Sequence, residues 1–146
     1  TGTGDAPQNA RLGELRRKVH HGRILAVFTV RYTSDLAYQS EHRELESRYP
    51  NYRYLPAPTR EQDHPKLYAQ DLLENGTLEK ELGAALDPEN THFFLCGNPA
   101  MIGIPEYEGD QPVFPDTVGM AELLHKRGFT LDRRKQPGNI HYEEYW

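Results

Sequence analysis

The sequence predicts an α/β domain with a parallel sheet of about five strands flanked by helices, the first strand missing from this chain. Three observations predict it. Apolar runs such as Ile24-Leu25-Ala26-Val27-Phe28 suit strands buried on both faces. Helical patterns alternate with those runs, the order of a parallel sheet crossed by helices. The chain also opens on a Gly-rich turn, Thr1-Gly2-Thr3-Gly4, that leads into a helix, and such a turn normally follows a buried strand.

The elements follow in order. Leu12, Leu15 and Val19 recur at helical spacing after Asp5-Ala6-Pro7. Arg23 to Arg31 reads as a buried strand, and Ser34 or Asp35 caps a helix running to Tyr49, stopped by Pro50. Tyr52 to Leu55 is a short strand closed by Pro56 and Pro58. A helix from Pro65 carries Leu67, Leu72 and Leu73 to the Asn75-Gly76 stop, and a helical turn runs from Leu78 to Gly83. Thr91 to Cys96 is the next strand. Pro105, Gly109, Pro112 and Pro115 make a long loop. Asp116 or Thr117 starts a last helix, Met120 to Arg127, ended by Gly128, and Ile140 to Trp146 is the final strand.

Composition narrows the function. Hydrophobic residues are 36% and charged residues 27% of the 146, polar but sufficient for one core. A net charge of -5 argues against a general nucleic-acid binder, which needs a basic surface. No apolar stretch approaches the roughly 20 residues of a spanning helix. No secretory leader is visible, so a soluble, cytoplasmic protein is expected. One cysteine excludes an intrachain disulfide and a Cys-rich zinc site. The seven histidines have no ligand spacing, adjacent His20 and His21 diverging on a helix, so no metal site is expected.

Parallel α/β sheets bind ligands at the carboxyl ends of their strands, so the residues after each strand carry the chemistry. The glycines of Thr1-Gly2-Thr3-Gly4 let backbone N–H groups approach a pyrophosphate at a helix start. Val30-Arg31-Tyr32-Thr33-Ser34 puts an Arg where enzymes using NAD often have an acidic residue, and an Arg there suits a 2′-phosphate. Pro58-Thr59-Arg60 adds a second Arg at a neighbouring tip, and two guanidiniums can clamp one phosphate. Leu95-Cys96-Gly97 sets a small, polarizable side chain at a strand mouth, where a buried structural Cys is the bland alternative. The terminal Tyr145-Trp146 ends a strand at the same edge, able to cover a flat ligand.

Taken together, Thr1-Gly2-Thr3-Gly4-Asp5-Ala6-Pro7, Arg31-Tyr32-Thr33-Ser34-Asp35-Leu36-Ala37-Tyr38, Leu95-Cys96-Gly97-Asn98-Pro99-Ala100-Met101 and Tyr145-Trp146 resemble the NADP-binding half of bacterial ferredoxin–NADP reductases, over residues 1–146. In that family an N-terminal barrel binds FAD and a C-terminal α/β domain binds NADP. The resemblance implies that Cys96, Glu143 and Trp146 occupy catalytic places: Cys96 beside the nicotinamide, Glu143 as a proton relay near the flavin, Trp146 stacked on the isoalloxazine with Tyr145 beside it. It further implies cofactor contacts from Thr1, Gly2, Thr3, Gly4 and Pro7 toward flavin and pyrophosphate. Val30, Arg31, Thr59, Arg60 and Lys66 would serve the 2′-phosphate end, and Gly97, Asn98, Pro99 and Met101 the turn after the Cys strand. Asp5 departs from the family, which more often has an apolar residue there. The segment from Ile104 to Pro115 also departs, replacing the start of a helix usual after the Cys-Gly-Asn-Pro motif.

The family's strand order puts its first strand in the sheet centre, between Arg23–Arg31 and Thr91–Cys96. The resemblance therefore implies that a separate polypeptide supplies that strand together with the FAD barrel, which is absent from this chain; the alternative is a rearranged fragment. The expected activity is electron transfer between NADPH and ferredoxin or flavodoxin. Two alternatives stand beside it: an NADH-dependent flavin reductase feeding an oxygenase, and an isolated nucleotide-binding fragment without turnover. Neither the acceptor, the direction of electron flow nor the oligomeric state is legible.

Overall fold

The computed structural model describes residues 20–62, 65–134 and 136–144. They fall into two compact units that divide between Ala85 and Leu86.

The first unit is built on two parallel strands, β1 (Ile24–Val30) and β2 (Tyr52–Pro58), with Ile24 opposite Tyr52 and Val30 opposite Pro58. All seven residues of β1 are half-buried, pointing alternately to both faces, which is why its apolar run is unbroken. On one face Ile24, Ala26 and Phe28 join the buried Tyr52 and Tyr54 and pack with Leu45 and Tyr49, at the end of the crossover helix α1 (Gln39–Arg48). His42 of α1 is 1% exposed and lies among these rings, 4.6 Å from Phe28 and 4.8 Å from Tyr54 between ring centres. Its Nδ1 is 2.7 Å from the Tyr52 hydroxyl. Burial, and then the neighbouring Tyr54 and Glu46, push the Tyr52 phenol above its ordinary value. The hydroxyl therefore keeps its proton and donates to His42 Nδ1, leaving the imidazole proton on Nε2. Two short helices, α2 (Ala69–Glu74) and α3 (Thr77–Leu82), complete the unit with Leu72, Leu73 and Leu78 buried, and α3 packs against both strands.

Three boundaries depart from expectation. The helix expected from Ser34 or Asp35 is instead a 3-10 turn, Thr33–Asp35, followed by an extended Leu36 and a left-handed Tyr38 (φ 56°), so α1 starts only at Gln39. Asp35 accepts the Tyr32 N–H at 3.0 Å, which closes the turn locally rather than opening a long helix. β2 does not stop at Leu55 but runs through Pro56 and Pro58. Thr59 N–H donates to Val30 O at 2.8 Å, so the odd-numbered residues donate toward β1 and both proline nitrogens lie on the edge facing away. The helix expected from Pro65 begins at Ala69, because the Asp71 carboxylate reaches back to the Tyr68 N–H at 2.6 Å.

In the second unit β3 (Phe93–Gly97) pairs in parallel with β6 (Ile140–Glu144), Phe93 opposite Ile140. Between them come α4 (Pro99–Ile102), a hairpin of β4 (Glu106–Glu108) and β5 (Gln111–Val113), and α5 (Met120–Lys126). Ile102, Leu124, Phe129 and Ile140 are fully buried, and Phe93 meets Phe129 edge to face at 5.0 Å. The segment expected as a proline-rich loop is this hairpin, with Pro112 opposite Tyr107 and the Arg133 guanidinium 3.9 Å from the Tyr107 ring centre. One helical turn does follow the Cys-Gly-Asn-Pro motif directly, so the segment after Ile104 does not replace the helix start. The last helix has Gly119, not Asp116 or Thr117, at its cap.

Among the described residues β1 pairs only with β2, and β3 only with β6. No described helix is long and apolar enough to cross a membrane.

Two predictions follow from packing and titration. A Cβ on Gly119 would stand 2.5 Å from the Gly103 Cα, so the two backbones touch where α4 ends and α5 begins. Gly119→Ala should cost about 1–3 kcal/mol in urea denaturation. Tyr52 has a folded pKa raised above 10.0, so the stability it brings is fully present below that pH and is lost as pH rises from there. Tyr52→Phe should lower stability by about 1–3 kcal/mol at neutral pH by leaving His42 Nδ1 without its donor. It should also flatten the alkaline limb of the stability curve.

Candidate functional site

At the carboxyl ends of β1 and β2 the pairing continues beyond the strands. The Thr59 hydroxyl adds a bond to Val30 O at 3.0 Å, and Arg60 N–H donates to Arg31 O at 2.8 Å. Arg31 and Arg60 thus leave from hydrogen-bonded backbone positions, and both are exposed. Other arginines of this unit are engaged: Arg43 with Glu46 at 2.9 Å, Arg48 with Glu44 at 2.5 Å, and Arg53 with Glu81 at 3.3 Å. Neither Arg31 nor Arg60 forms an ion pair with a carboxylate among the described residues. Two exposed guanidiniums at adjoining tips suit a dianionic phosphate. Lys66 is exposed in the segment before α2, its ammonium 5.3 Å from the Tyr68 ring centre. Sequence reasoning missed Glu61, whose Oε1 accepts the Thr33 N–H at 2.6 Å across these same two turns. Only the register of β1 on β2 brings residues 28 apart into this contact.

At the carboxyl ends of β3 and β6, Cys96 stands opposite Glu143 and Gly97 opposite Glu144. Cys96 is half-buried and Glu143 exposed, so a thiol and a carboxylate share one sheet face at the strand mouth. Gly97 (φ 143°) turns the chain from strand into α4. Asn98 caps that helix, Oδ1 accepting the Ala100 N–H at 2.8 Å, Pro99 takes the first helical position, and Met101 is half-buried on the turn. Thr1, Gly2, Thr3, Gly4, Pro7, Tyr145 and Trp146 lie outside the described residues.

Sequence reasoning also missed a cluster toward the amino-terminal end of β3 and β6. His141 Nδ1 is 3.0 Å from Asp132 Oδ2, and His92 Nδ1 is 3.1 Å from His141 Nε2. The His rings are 7° from parallel with centres 5.4 Å apart, a separation that sets them edge to edge along the N···N line. Hydrogen bonds from His141 and from the Gly138 amide hold the Asp132 carboxyl below its ordinary value. An ionised Asp132 makes His141 Nδ1 the donor to it. Their spacing in sequence carries no hint, since register alone joins them. Among the described residues no group of three or more His, Cys, Asp or Glu side chains could hold a metal. A cleft of about 480 Å³ lies at the amino-terminal end of β1 and β2 between Arg23, Asn51, Arg53, Glu46 and Glu81. Its charges are already engaged, Arg53 with both carboxylates and Arg23 with the Leu82 and Gly83 carbonyls.

Parallel strand pairs with helices packed on them make the chain α/β, a class whose strands present ligand sites at their carboxyl ends. The family profile described as the oxidoreductase NAD-binding domain matches residues 1–106, and the chain belongs to that family. A flavodoxin/ferredoxin–NADP reductase of Buchnera aphidicola subsp. Schizaphis graminum is 30% identical over the whole chain, which covers 52% of that protein. A ferredoxin–NADP reductase of Spirulina sp is 33% identical over 70% of this chain and 37% of its own length. The chain therefore spans about half or less of the length of these relatives. The crystal structure of a ferredoxin NADP+ reductase from Neisseria gonorrhoeae with bound FAD and NADP matches 99% of this chain and 53% of that one, with a TM-score of 0.78. At 24% identity, that likeness establishes the α/β fold.

The Asn98 cap is separable from ligand chemistry. Asn98→Ala should cost about 1 kcal/mol, while Asn98→Asp retains the cap. Thermal denaturation, with amide exchange at Ala100 and Met101, checks both.

Proposed function

We propose that this chain is the NADP-binding half of a flavin-dependent reductase that passes electrons between NADPH and ferredoxin or flavodoxin. The observation that carries this reading is the Arg31–Arg60 pair: two exposed guanidiniums, bonded backbone to backbone and without a carboxylate partner among the described residues. A 2′-phosphate supplies the two negative charges that such a pair answers, and a ribose hydroxyl does not. The relatives' names agree with this assignment. In this reading Val30 and Thr59 hold the two tips in register and Lys66 adds a third cation.

FAD, carried mainly outside this chain, would accept a hydride and release its electrons singly. Cys96 borders the nicotinamide with a side chain small enough to let the ring approach. Glu143, opposite it in the sheet, holds or moves a proton. Thr1, Gly2, Thr3, Gly4 and Pro7 meet the pyrophosphate, with Gly97, Asn98, Pro99 and Met101 shaping the turn beside the nicotinamide. Tyr145 and Trp146 cover the flavin ring. Along β1 and β3, each paired on one side only among the described residues, there is room for a further strand. A cytoplasmic location, where NADPH is at hand, belongs to the same proposal.

Arg31→Glu tests the proposal. It should weaken NADPH binding by about 30- to 100-fold, the scale of a charge-assisted phosphate contact replaced by repulsion, and leave NADH within about threefold. Equal losses for both nucleotides, read by calorimetric titration, would favour the NADH-dependent flavin reductase instead.

A further inference from the structure

This inference rests on the reading of Arg31 and Arg60 as the holders of a 2′-phosphate. We infer that Glu61 is the positioning residue for that pair, tying the turn after β1 to the turn after β2 beyond the last rung of the ladder.

The β1–β2 register ends at Val30 opposite Pro58. Past it, two backbone bonds persist, Thr59 N–H to Val30 O and Arg60 N–H to Arg31 O, each 2.8 Å. The chains then diverge. Arg31 leads through Tyr32 into the 3-10 turn at Thr33–Asp35, and Arg60 leads into Glu61. At that fork the Glu61 carboxylate accepts the Thr33 N–H at 2.6 Å, a short bond. It is the next cross-link in the series, made by a side chain where the backbones have moved apart.

The turn on the other side is fixed as well. Tyr32 N–H is held by Asp35 at 3.0 Å, so Thr33 presents its amide from a closed local loop. Each arginine is therefore bracketed. Arg31 lies between the Val30 bonds and the Thr33 amide, and Arg60 between its own backbone bond and Glu61. Long cationic side chains bind a phosphate more tightly when their backbones are ordered beforehand, because less freedom is lost on binding. Glu61 also brings a negative charge close to the proposed phosphate. Its useful property is thus the acceptor oxygen, which a glutamine retains without the charge.

Three variants of the full chain separate these effects, with 2′,5′-ADP and 5′-AMP as probes in calorimetric titration. Glu61→Ala should bind 2′,5′-ADP about tenfold more weakly and 5′-AMP within about twofold of the parent, because the turns are then less ordered before binding. Glu61→Gln should restore the parental affinity for 2′,5′-ADP or exceed it by up to about threefold, since the acceptor stays and the repulsion goes. Thr33→Pro removes the donor instead. Tyr32 is already extended (φ -128°, ψ 155°), as a residue before proline must be, and Thr33 opens the 3-10 turn, so the backbone accepts the change. It should reproduce the Glu61→Ala loss.

An unchanged affinity of Glu61→Ala for 2′,5′-ADP, an equal loss for both probes, or a Glu61→Gln as weak as Glu61→Ala would overturn the inference. If the parent chain binds 2′,5′-ADP no better than 5′-AMP, the phosphate reading itself falls. If the parent discriminates and the three variants do so equally, only the role of Glu61 falls.

Discussion

Arg60 donates its backbone N–H to Arg31 O at 2.8 Å, and that bond exists because seven residue pairs below it hold β1 and β2 in one register. A slip of one residue would send the buried Tyr52 and Tyr54 to the opposite face and part the two arginines at once. The cost of such a slip is high because Tyr52 is also committed to His42 through its hydroxyl. The aromatic core beneath α1 thus fixes the positions of two exposed charges at the far end of the strands. Stability in the core and placement at the tip are two consequences of the same ladder.

That ladder is one-sided. β1 has the composition of an interior strand, yet among the described residues it has a partner only on the side of β2. The outer edge of the pair is the one built for exposure: Pro56 and Pro58 turn their nitrogens to it and offer no N–H for further pairing. The other edge, along β1, has no such protection in its sequence, Ile24 to Val30 being free of proline and charge. The two edges therefore differ in their capacity for further backbone pairing.

The legible parts of the sequence were those set by local chemistry. The apolar run of β1, the Asn75-Gly76 break and the Gly128 stop follow from residue type alone, and the structure has them where expected. Proline misled in β2 and again after Ile104. In β2 its missing N–H matters only if that N–H would have faced β1, and the alternation that spares it depends on register. In the segment after Ile104, Pro112 fits a two-stranded hairpin because no other strand flanks it among the described residues. Arg31, Arg60 and Cys96 were legible as residues at or just past a strand's end, and Glu143 only through the family resemblance. Glu61, His92 and His141 were not, since each gains its partner only through cross-strand pairing.

Along the strand axis the two ends of the first unit differ in how their charges are used. At the amino-terminal end Arg53 is shared between Glu46 and Glu81, and Arg23 is bound to main-chain carbonyls, so the large cleft there is electrostatically closed. Burial raises the cost of ionising Glu46, but the Tyr54 amide and the Arg43 and Arg53 guanidiniums outweigh it and hold its carboxyl below the ordinary value. At the carboxyl end the carboxylates of Asp35 and Glu61 are instead bound to main-chain amides, leaving Arg31 and Arg60 outside those contacts. Among the described residues the two ends of the strand pair thus differ in what their acids hold, arginines at the amino-terminal end and main-chain amides at the carboxyl end.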